Sequence, residues 1–451
     1  MAIVSRPIST VQDITDAPAQ QPFLRRPGAV ERILSGVMVF VFAFSIPTEW
    51  FVRVGGSSAN AVQGGSPLAT LVFLTFLGLA ALGMNGNWHI LAAAAAREPL
   101  LPALVGLIGL STVWSGNIIE TFTTFVVIAI SLLVGYYFAI RYRIEEILYI
   151  AGVAFAAGLF VNYVFIFVFQ DFGLDTINVG TDGGSKWSGV FVTKNELGRI
   201  ASLSLIIFAF LSRVRRSFIV WPVLAVLAGV QVVASDSATS LGATAGVIAL
   251  TVVFLGFRGR KTLYGATAIT MISVFSVLTT LAATNLVVAT GLLGKNSTFT
   301  GRLPLWVNSW RFGITERFWT GHGWFAFWGE DVSFPVAVRS NFNIPHAHNA
   351  FIDAWLYAGP IAAALLVAIF IRGLVWGARN IRAVPTAAGL VPVLLIAYGL
   401  IFSLTEAGVV RRDISFVFFV LAVVTAAKNK GKRLSYVEGM RLRLTERLPT
   451  G

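Results

Sequence analysis

The 451-residue chain contains no cysteine, which excludes disulfides, thiolate metal centres and cysteine nucleophiles. Charge is also scarce: Asp, Glu, Lys and Arg make up 12% of the residues, where soluble domains carry about 25%. An ordinary soluble domain is thereby excluded. No polar stretch exceeds the interval 294–348, so no separate globular module is expected. The first apolar run starts only after Arg32, and no cleavable signal peptide is expected. Histidine is rare, at four residues, two of them in one segment.

What the chain does have is apolar sequence. Hydrophobic residues make up 56% and the mean hydropathy is +0.78. Apolar runs recur along nearly the whole length, each able to supply the roughly 20 residues that cross a hydrocarbon core as helix. A β-barrel would need short alternating segments instead. The expected fold class is all-α: a polytopic membrane helical bundle with twelve spans. These fall near 33–52, 67–84, 99–115, 119–140, 145–170, 190–211, 217–234, 238–257, 263–293, 349–371, 387–405 and 413–427. Residues 1–32 read as a disordered cytoplasmic tail, 33–427 as one membrane domain including the loop 294–348, and 428–451 as a basic cytoplasmic tail.

The net charge of +13 does not point to nucleic acid, because most cations sit in short loops that alternate with uncharged ones. That is the positive-inside pattern. It places both termini in the cytoplasm, with Arg97, Arg141, Arg143, Arg213, Arg215, Arg216, Arg258, Arg260, Lys261, Arg372, Arg379 and Arg382. Left at the outer face are Arg53, Lys186, Lys194, Arg199, Lys295, Arg302, Arg311, Arg317, Arg339, Arg411 and Arg412. The tail cations Lys428, Lys430, Lys432 and Arg433 suit anchoring to anionic lipid.

The outer interval 294–348 holds Trp306, Trp310, Trp319, Trp324 and Trp328, too aromatic for a solvated linker. Loops of such length are usually functional or disordered, and this one is expected to be ordered. Thr300 and Pro304 mark a helix start. From there Arg302, Trp306 and Trp310 share one face at i, i+4, i+8, as for a helix on the membrane surface with its arginine turned to a lipid phosphate. Gly321-His322-Gly323 reads as a flexible turn.

His346-Ala347-His348-Asn349 opens the tenth span. Its imidazoles admit three readings: a metal pair, since residues two apart in extended chain point the same way; a structural tie to backbone; or a general base. Glu330, Asp331, His322 and Asp353 are the candidate further ligands, and no third ligand of matching pattern is evident. In Trp187–Arg199, Lys194, Glu196 and Arg199 crowd the outer end of span six. They are either a snorkelling pair or, with Arg302, a cationic site for pyrophosphate oxygens. Ser235-Asp236-Ser237-Ala238-Thr239-Ser240 reads as a tight capped turn, and Glu406, Arg411, Arg412 and Asp413 as a salt-bridged rim.

The order of these blocks resembles the O-antigen ligase and polysaccharide polymerase superfamily: Lys194-Asn195 with Leu197-Gly198 at span six, Thr300-Gly301-Arg302 with a following Trp306, the Gly-x-Gly turn, then His346-x-His348-Asn349 with Gly359 ten residues on. The stretch Trp187 to Gly198 is most similar to bacterial exopolysaccharide polymerases. The resemblance implies a membrane glycosyltransferase of type C architecture, with a periplasmic site in the bacterial inner membrane. It implies metal-independent inverting transfer from an undecaprenyl-pyrophosphate-linked glycan donor to a glycan or lipid-linked acceptor, with no cofactor. By position His348 would be the base and Arg302 a pyrophosphate ligand, with Lys194 or Arg199 as the second. Asn195, His346, Asn349 and Trp306 complete the expected substrate-contacting set. The resemblance also implies a chain-length regulator or other export machinery as a partner for the basic tail at Lys428, Lys430, Lys432 and Arg433. The chain departs from the family pattern at Asp236, Ala238 and Ala362, which favours a polymerase over a ligase acting on a lipid A core. A transporter of lipid-linked sugars would instead show internal repeats, and none is found.

Overall fold

A computed structural model describes residues 27–44, 67–175, 186–214, 219–256, 302–329, 333–336, 346–383, 387–406, 408–411 and 413–428. Residues 1–26 and 429–451, the span expected at 263–293, the Thr300 cap, Glu330, Asp331 and Arg412 lie outside them. Within the expected tails, Ala29–Arg32 already belong to the first helix rather than to a disordered segment, and Lys428 ends the last helix and donates to the Ala139 carbonyl instead of standing free for lipid.

Among the described residues the chain is almost wholly helical. Thirteen helices position everything that follows: α1 (Ala29–Phe44), α2 (Pro67–Gly83), α3 (Trp88–Arg97), α4 (Leu100–Leu110), α5 (Ile118–Arg141), α6 (Ile144–Phe167), α7 (Lys194–Val214), α8 (Val220–Ala234), α9 (Ala238–Gly256), α10 (Arg302–Asn308), α11 (Ala350–Ala383), α12 (Ala387–Ser403) and α13 (Ile414–Lys428). A two-residue antiparallel ribbon, β1 (Leu174–Asp175) on β2 (Lys186–Trp187), is paired in register Leu174 to Trp187.

Four helices, at Ile118–Arg141, Ile144–Phe167, Lys194–Val214 and Ala350–Ile381, are long and apolar enough to cross a membrane. The pair Trp88–Arg97 and Leu100–Trp114, bent by 95°, would make a fifth. The protein is thus a helical membrane protein, but a count of twelve spans is not reached by this measure. Shorter apolar helical stretches of 10–17 residues lie at Leu74–Gly83, Val220–Ala234, Ala238–Phe254, Ala388–Ser403 and Ile414–Lys428. Helix α3 is a further difference, since the interval between the second and third expected spans reads as loop. Its run of five alanines, Ala92–Ala96, has the best intrinsic helix propensity, and that local preference prevails.

At the centre lies α13, buried at nearly every position from Ile414 to Ala427. It packs against α5, α11 and α12. Between apolar helices in lipid such contacts stabilise by close packing rather than by escape from water. Two helix starts are tied by side-chain caps: Asn117 accepts the Glu120 N–H at 3.1 Å ahead of α5. Buried Asp175 accepts the Lys194 N–H at 3.0 Å, setting the start of α7.

Helix α11 is two arms joined at Ala358-Gly359. Pro360 carries no N–H, so the carbonyl of Leu356 loses its helical donor. That carbonyl accepts the His322 N–H at 2.8 Å, and the carbonyl of Tyr357 accepts the Gly323 N–H at 2.9 Å. Gly359 takes φ +76°, and a Cβ there would lie 2.1 Å from the Trp319 carbonyl oxygen. The Gly321-His322-Gly323 segment is therefore a turn docked on the kink, not a free one. The glycines let its backbone touch the helix: a Cβ at Gly321 would lie 2.5 Å from the Tyr357 backbone.

Candidate active site

The segment His346–Asn349 enters α11 through an Asn349 cap, whose Oδ1 accepts the N–H groups of Phe351 and Ile352 at 3.0 and 3.1 Å. The Asn349 amide donates to the Leu404 carbonyl at 3.2 Å, tying this entrance to the end of α12. His348 adopts φ +50°. A left-handed non-glycine residue costs on the order of 1 kcal/mol or more and persists only where its surroundings over-determine it. The extended geometry that would point both rings the same way is therefore not adopted. The rings meet edge to face at 4.2 Å between centroids, and the His348 N–H donates to His346 Nδ1 at 3.3 Å.

The carboxylate of Glu406, in the turn after α12, gathers the site. Its Oε2 lies 2.9 Å from His348 Nδ1. Its Oε1 accepts from the Arg302 guanidinium at 3.1 Å and from the Asn195 amide at 3.3 Å. Burial alone would push the Glu406 carboxyl up, but the neighbouring His348, His346 and Arg302 hold it at about 2. An ionised carboxylate only accepts hydrogen bonds, so His348 Nδ1 must donate. In the neutral ring this leaves Nε2 as the basic nitrogen. At His346, burial first and then the adjacent His348 push the ring well below its ordinary range.

Arg302 therefore faces a carboxylate rather than a lipid phosphate. The one-face alignment with Trp306 and Trp310 also breaks, because α10 continues into a π-helical turn over Ser309–Ile314. Trp306 turns inward, its indole N–H donating to the Ala347 carbonyl at 2.8 Å. Trp310 packs edge-on against Trp355 instead, with centroids 5.3 Å apart.

The two cations of α7 have different settings. Arg199 is 5% exposed and ion-paired to Asp413, which also faces Arg411 at 3.9 Å. Burial would raise the Asp413 carboxyl, yet the Arg199 and Arg411 guanidinia hold it below its usual value. Lys194 is partly exposed, with its side chain 21% accessible and its amine 3.6 Å from Asp236, which also holds Lys186 at 3.1 Å. The Ser-rich turn thus carries a carboxylate that gathers two lysines. The rim expected at Glu406–Asp413 divides accordingly: Asp413 serves Arg199, while Glu406 turns to the histidines.

His346, His348 and Glu406 offer three donor atoms within 4.8 Å of one another, a spacing that can hold a metal ion. Glu406 is the third ligand that sequence reasoning could not name. Of the earlier candidates, His322 is engaged elsewhere, its Nε2 2.9 Å from the Gly313 carbonyl, with burial holding its ring below the ordinary range. Asp353 is also spoken for, by Ala347 and Trp328. The signal that pointed to Glu406 was its place three residues beyond the apolar run of α12, where an ionisable residue near the hydrocarbon boundary is costly unless it has a partner.

Residues 223–367 match the O-antigen ligase family. That segment runs from α8 into α11 and holds Arg302, Trp306, His346, His348 and Asn349, whereas Lys194 and Glu406 lie outside it. The exopolysaccharide production protein ExoQ of Rhizobium meliloti (strain 1021) is 31% identical over 234 residues, 48% of this chain and 51% of that protein. The chain thus spans about half the length of the curated relative it matches. Both findings support the resemblance to the O-antigen ligase and polymerase superfamily.

Proposed function

We propose that the protein is a membrane glycosyltransferase that joins undecaprenyl-pyrophosphate-linked oligosaccharide repeat units into a cell-surface polysaccharide at the periplasmic face. The observation that carries this reading is the shared carboxylate: Glu406 holds His348 Nδ1 at 2.9 Å on one oxygen and Arg302 at 3.1 Å on the other. One group thereby aligns a base with a phosphate-binding cation.

In the proposed step an acceptor sugar hydroxyl attacks the anomeric carbon of the donor. His348 Nε2 takes the hydroxyl proton, the new glycosidic bond forms, and the bond to the pyrophosphate oxygen breaks with its electron pair leaving on that oxygen. Attack opposite the leaving group inverts the anomeric configuration. Glu406 stabilises the imidazolium that forms, as the carboxylate of a triad does. General-base help of this kind contributes about 10² to 10⁴ in rate. Pyrophosphate is already a good leaving group, so cations that meet its developing charge suffice on the other side. A guanidinium has five N–H donors, and Arg302 keeps a fork for phosphate beyond its contact with Glu406. Lys194 is favoured over Arg199 as the second cation, because Arg199 is buried against Asp413. The reaction is proposed to need no metal, since the charge of Glu406 is already met by Arg302. The relative's name, an exopolysaccharide production protein, favours an exopolysaccharide product over transfer to a lipid A core.

The test is His348→Ala in the source strain, with analysis of surface glycans and lipid carriers. The expected result is loss of long polymer, with single repeat units accumulating on the carrier at the periplasmic side. Normal polymer would overturn the proposal, and repeat units trapped facing the cytoplasm would indicate a flippase instead.

A further inference from the structure

Ala347, between the two histidines, is held at both of its backbone polar groups, one in each flanking peptide. Its carbonyl accepts the Trp306 indole N–H at 2.8 Å. Its N–H donates to Asp353 Oδ1 at 2.9 Å. Asp353 lies one helical turn into α11, its backbone N–H bonded to the Asn349 carbonyl at 2.9 Å, so its carboxylate folds back over the entrance of its own helix. The same Oδ1 accepts the Trp328 indole N–H at 2.9 Å, bringing in the short 3₁₀ turn Ala326–Trp328 of the aromatic loop. Asp353 is 2% exposed, and a carboxylate at the head of a membrane helix is retained at a cost unless it serves a role. Its role is geometric: His348 sits at φ +50°, and the residue immediately before it is the one whose N–H Asp353 fixes.

We infer that Asp353 is a positioning residue, not part of the reacting set, that holds the Ala347-His348 backbone so that the His348 ring meets Glu406, and that couples this geometry to the Trp328 turn. The inference rests on the proposed role of His348. Only an acceptor oxygen is required at this position, because both partners are N–H donors. The carboxylate can therefore be replaced by an amide but not by an apolar group. Asparagine supplies Oδ1 in the same place and should be tolerated, whereas alanine leaves the Ala347 N–H and the Trp328 indole without a partner.

The experiment compares wild type, Asp353→Ala, Asp353→Asn and His348→Ala in detergent. Turnover is measured with undecaprenyl-pyrophosphate-linked oligosaccharide extracted from a source strain lacking this protein. Asp353→Ala is expected to lower kcat about 30-fold or more with donor KM within a few-fold of wild type, and Asp353→Asn to stay within a few-fold of wild type in both. A second readout is independent of turnover. With four histidines in the chain, ring-nitrogen NMR of [15N]histidine-labelled protein resolves His348, identified by its absence in His348→Ala. The signature of Nδ1–H bonded to Glu406 should persist in Asp353→Asn. In Asp353→Ala it should be lost; should that variant not fold, Trp328→Phe, which removes one of the two donors, should shift it. Wild-type kcat in Asp353→Ala, an Asp353→Asn as impaired as Asp353→Ala, or an unchanged His348 signal in the alanine and phenylalanine variants would overturn the positioning role. Full activity of His348→Ala would instead overturn the reading on which it rests.

Discussion

At the scale of single residues the decisive group is Glu406, whose carboxylate receives His348, Arg302 and Asn195. Glu406→Gln keeps a hydrogen-bonding group but loses the charge that selects the Nδ1–H tautomer and that, in the proposed step, would stabilise the imidazolium. It should lower kcat on the order of 10²-fold, within the range by which general-base catalysis contributes, with donor KM little changed. The same carboxylate should appear in the acid stability of the protein. Its pKa is depressed from the ordinary 4.5 to about 2. The stability it contributes is therefore complete above about 4.5 and is lost as pH falls toward about 2. Thermal unfolding in detergent should show a steeper loss for wild type than for Glu406→Gln across that window, and equal slopes would contradict the ion cluster. His348, Arg302 and Asn195 were legible from their short motifs, which converge on one carboxylate. The hub itself was not, because Glu406 is 211 residues from Asn195 in the chain, and only tertiary packing joins them. For the same reason the cluster of Glu406 to Asp413 read as a single rim, although its two acids serve different cations.

At the scale of elements, helix positions were largely readable because apolar runs and their charged ends are local features. Helices coincide with eleven of the twelve expected spans, and the twelfth lies outside the described residues. What periodicity could not show were departures from regular geometry: the π-helical turn after α10, the bent α3–α4 pair, and the kink in α11. The kink depends on Pro360 and Gly359 together, one freeing a carbonyl and the other allowing Trp319 to approach. Gly359→Ala should therefore destabilise the protein by about 1 to 3 kcal/mol, the usual cost of a left-handed non-glycine residue, with overlap against the Trp319 carbonyl adding to it. A lowered unfolding midpoint in detergent checks this, and an unchanged midpoint would show that the docked turn does not depend on the glycine.

At the scale of the whole molecule, the account requires the aromatic loop and the histidines to face the periplasm. The absence of native cysteine makes the chain suited to mapping by single cysteines. Trp319, at 73% exposure, replaced as Trp319→Cys, should react in intact cells, once the outer membrane is permeabilised, with a thiol reagent that cannot cross the inner membrane. Arg143, with its side chain 81% exposed, replaced as Arg143→Cys, should react only after the inner membrane is breached. The reverse pattern would invert the charge-based topology. Composition alone was enough for the membrane class, while the orientation expected from the alternation of basic loops is what this labelling tests. The bundling of α13 at the centre was not legible, because uniformly apolar helices carry no stripe to show which face packs. The central claim is glycosyl transfer with His348 as base and no metal. The most direct measurement is extension of a defined undecaprenyl-pyrophosphate-linked repeat unit by purified protein in excess EDTA. Wild type should form multimers and His348→Ala at most about 1% of that rate, in keeping with the lower end of general-base contributions. Multimers formed equally by both proteins, or by wild type only when a divalent metal is restored, would contradict it.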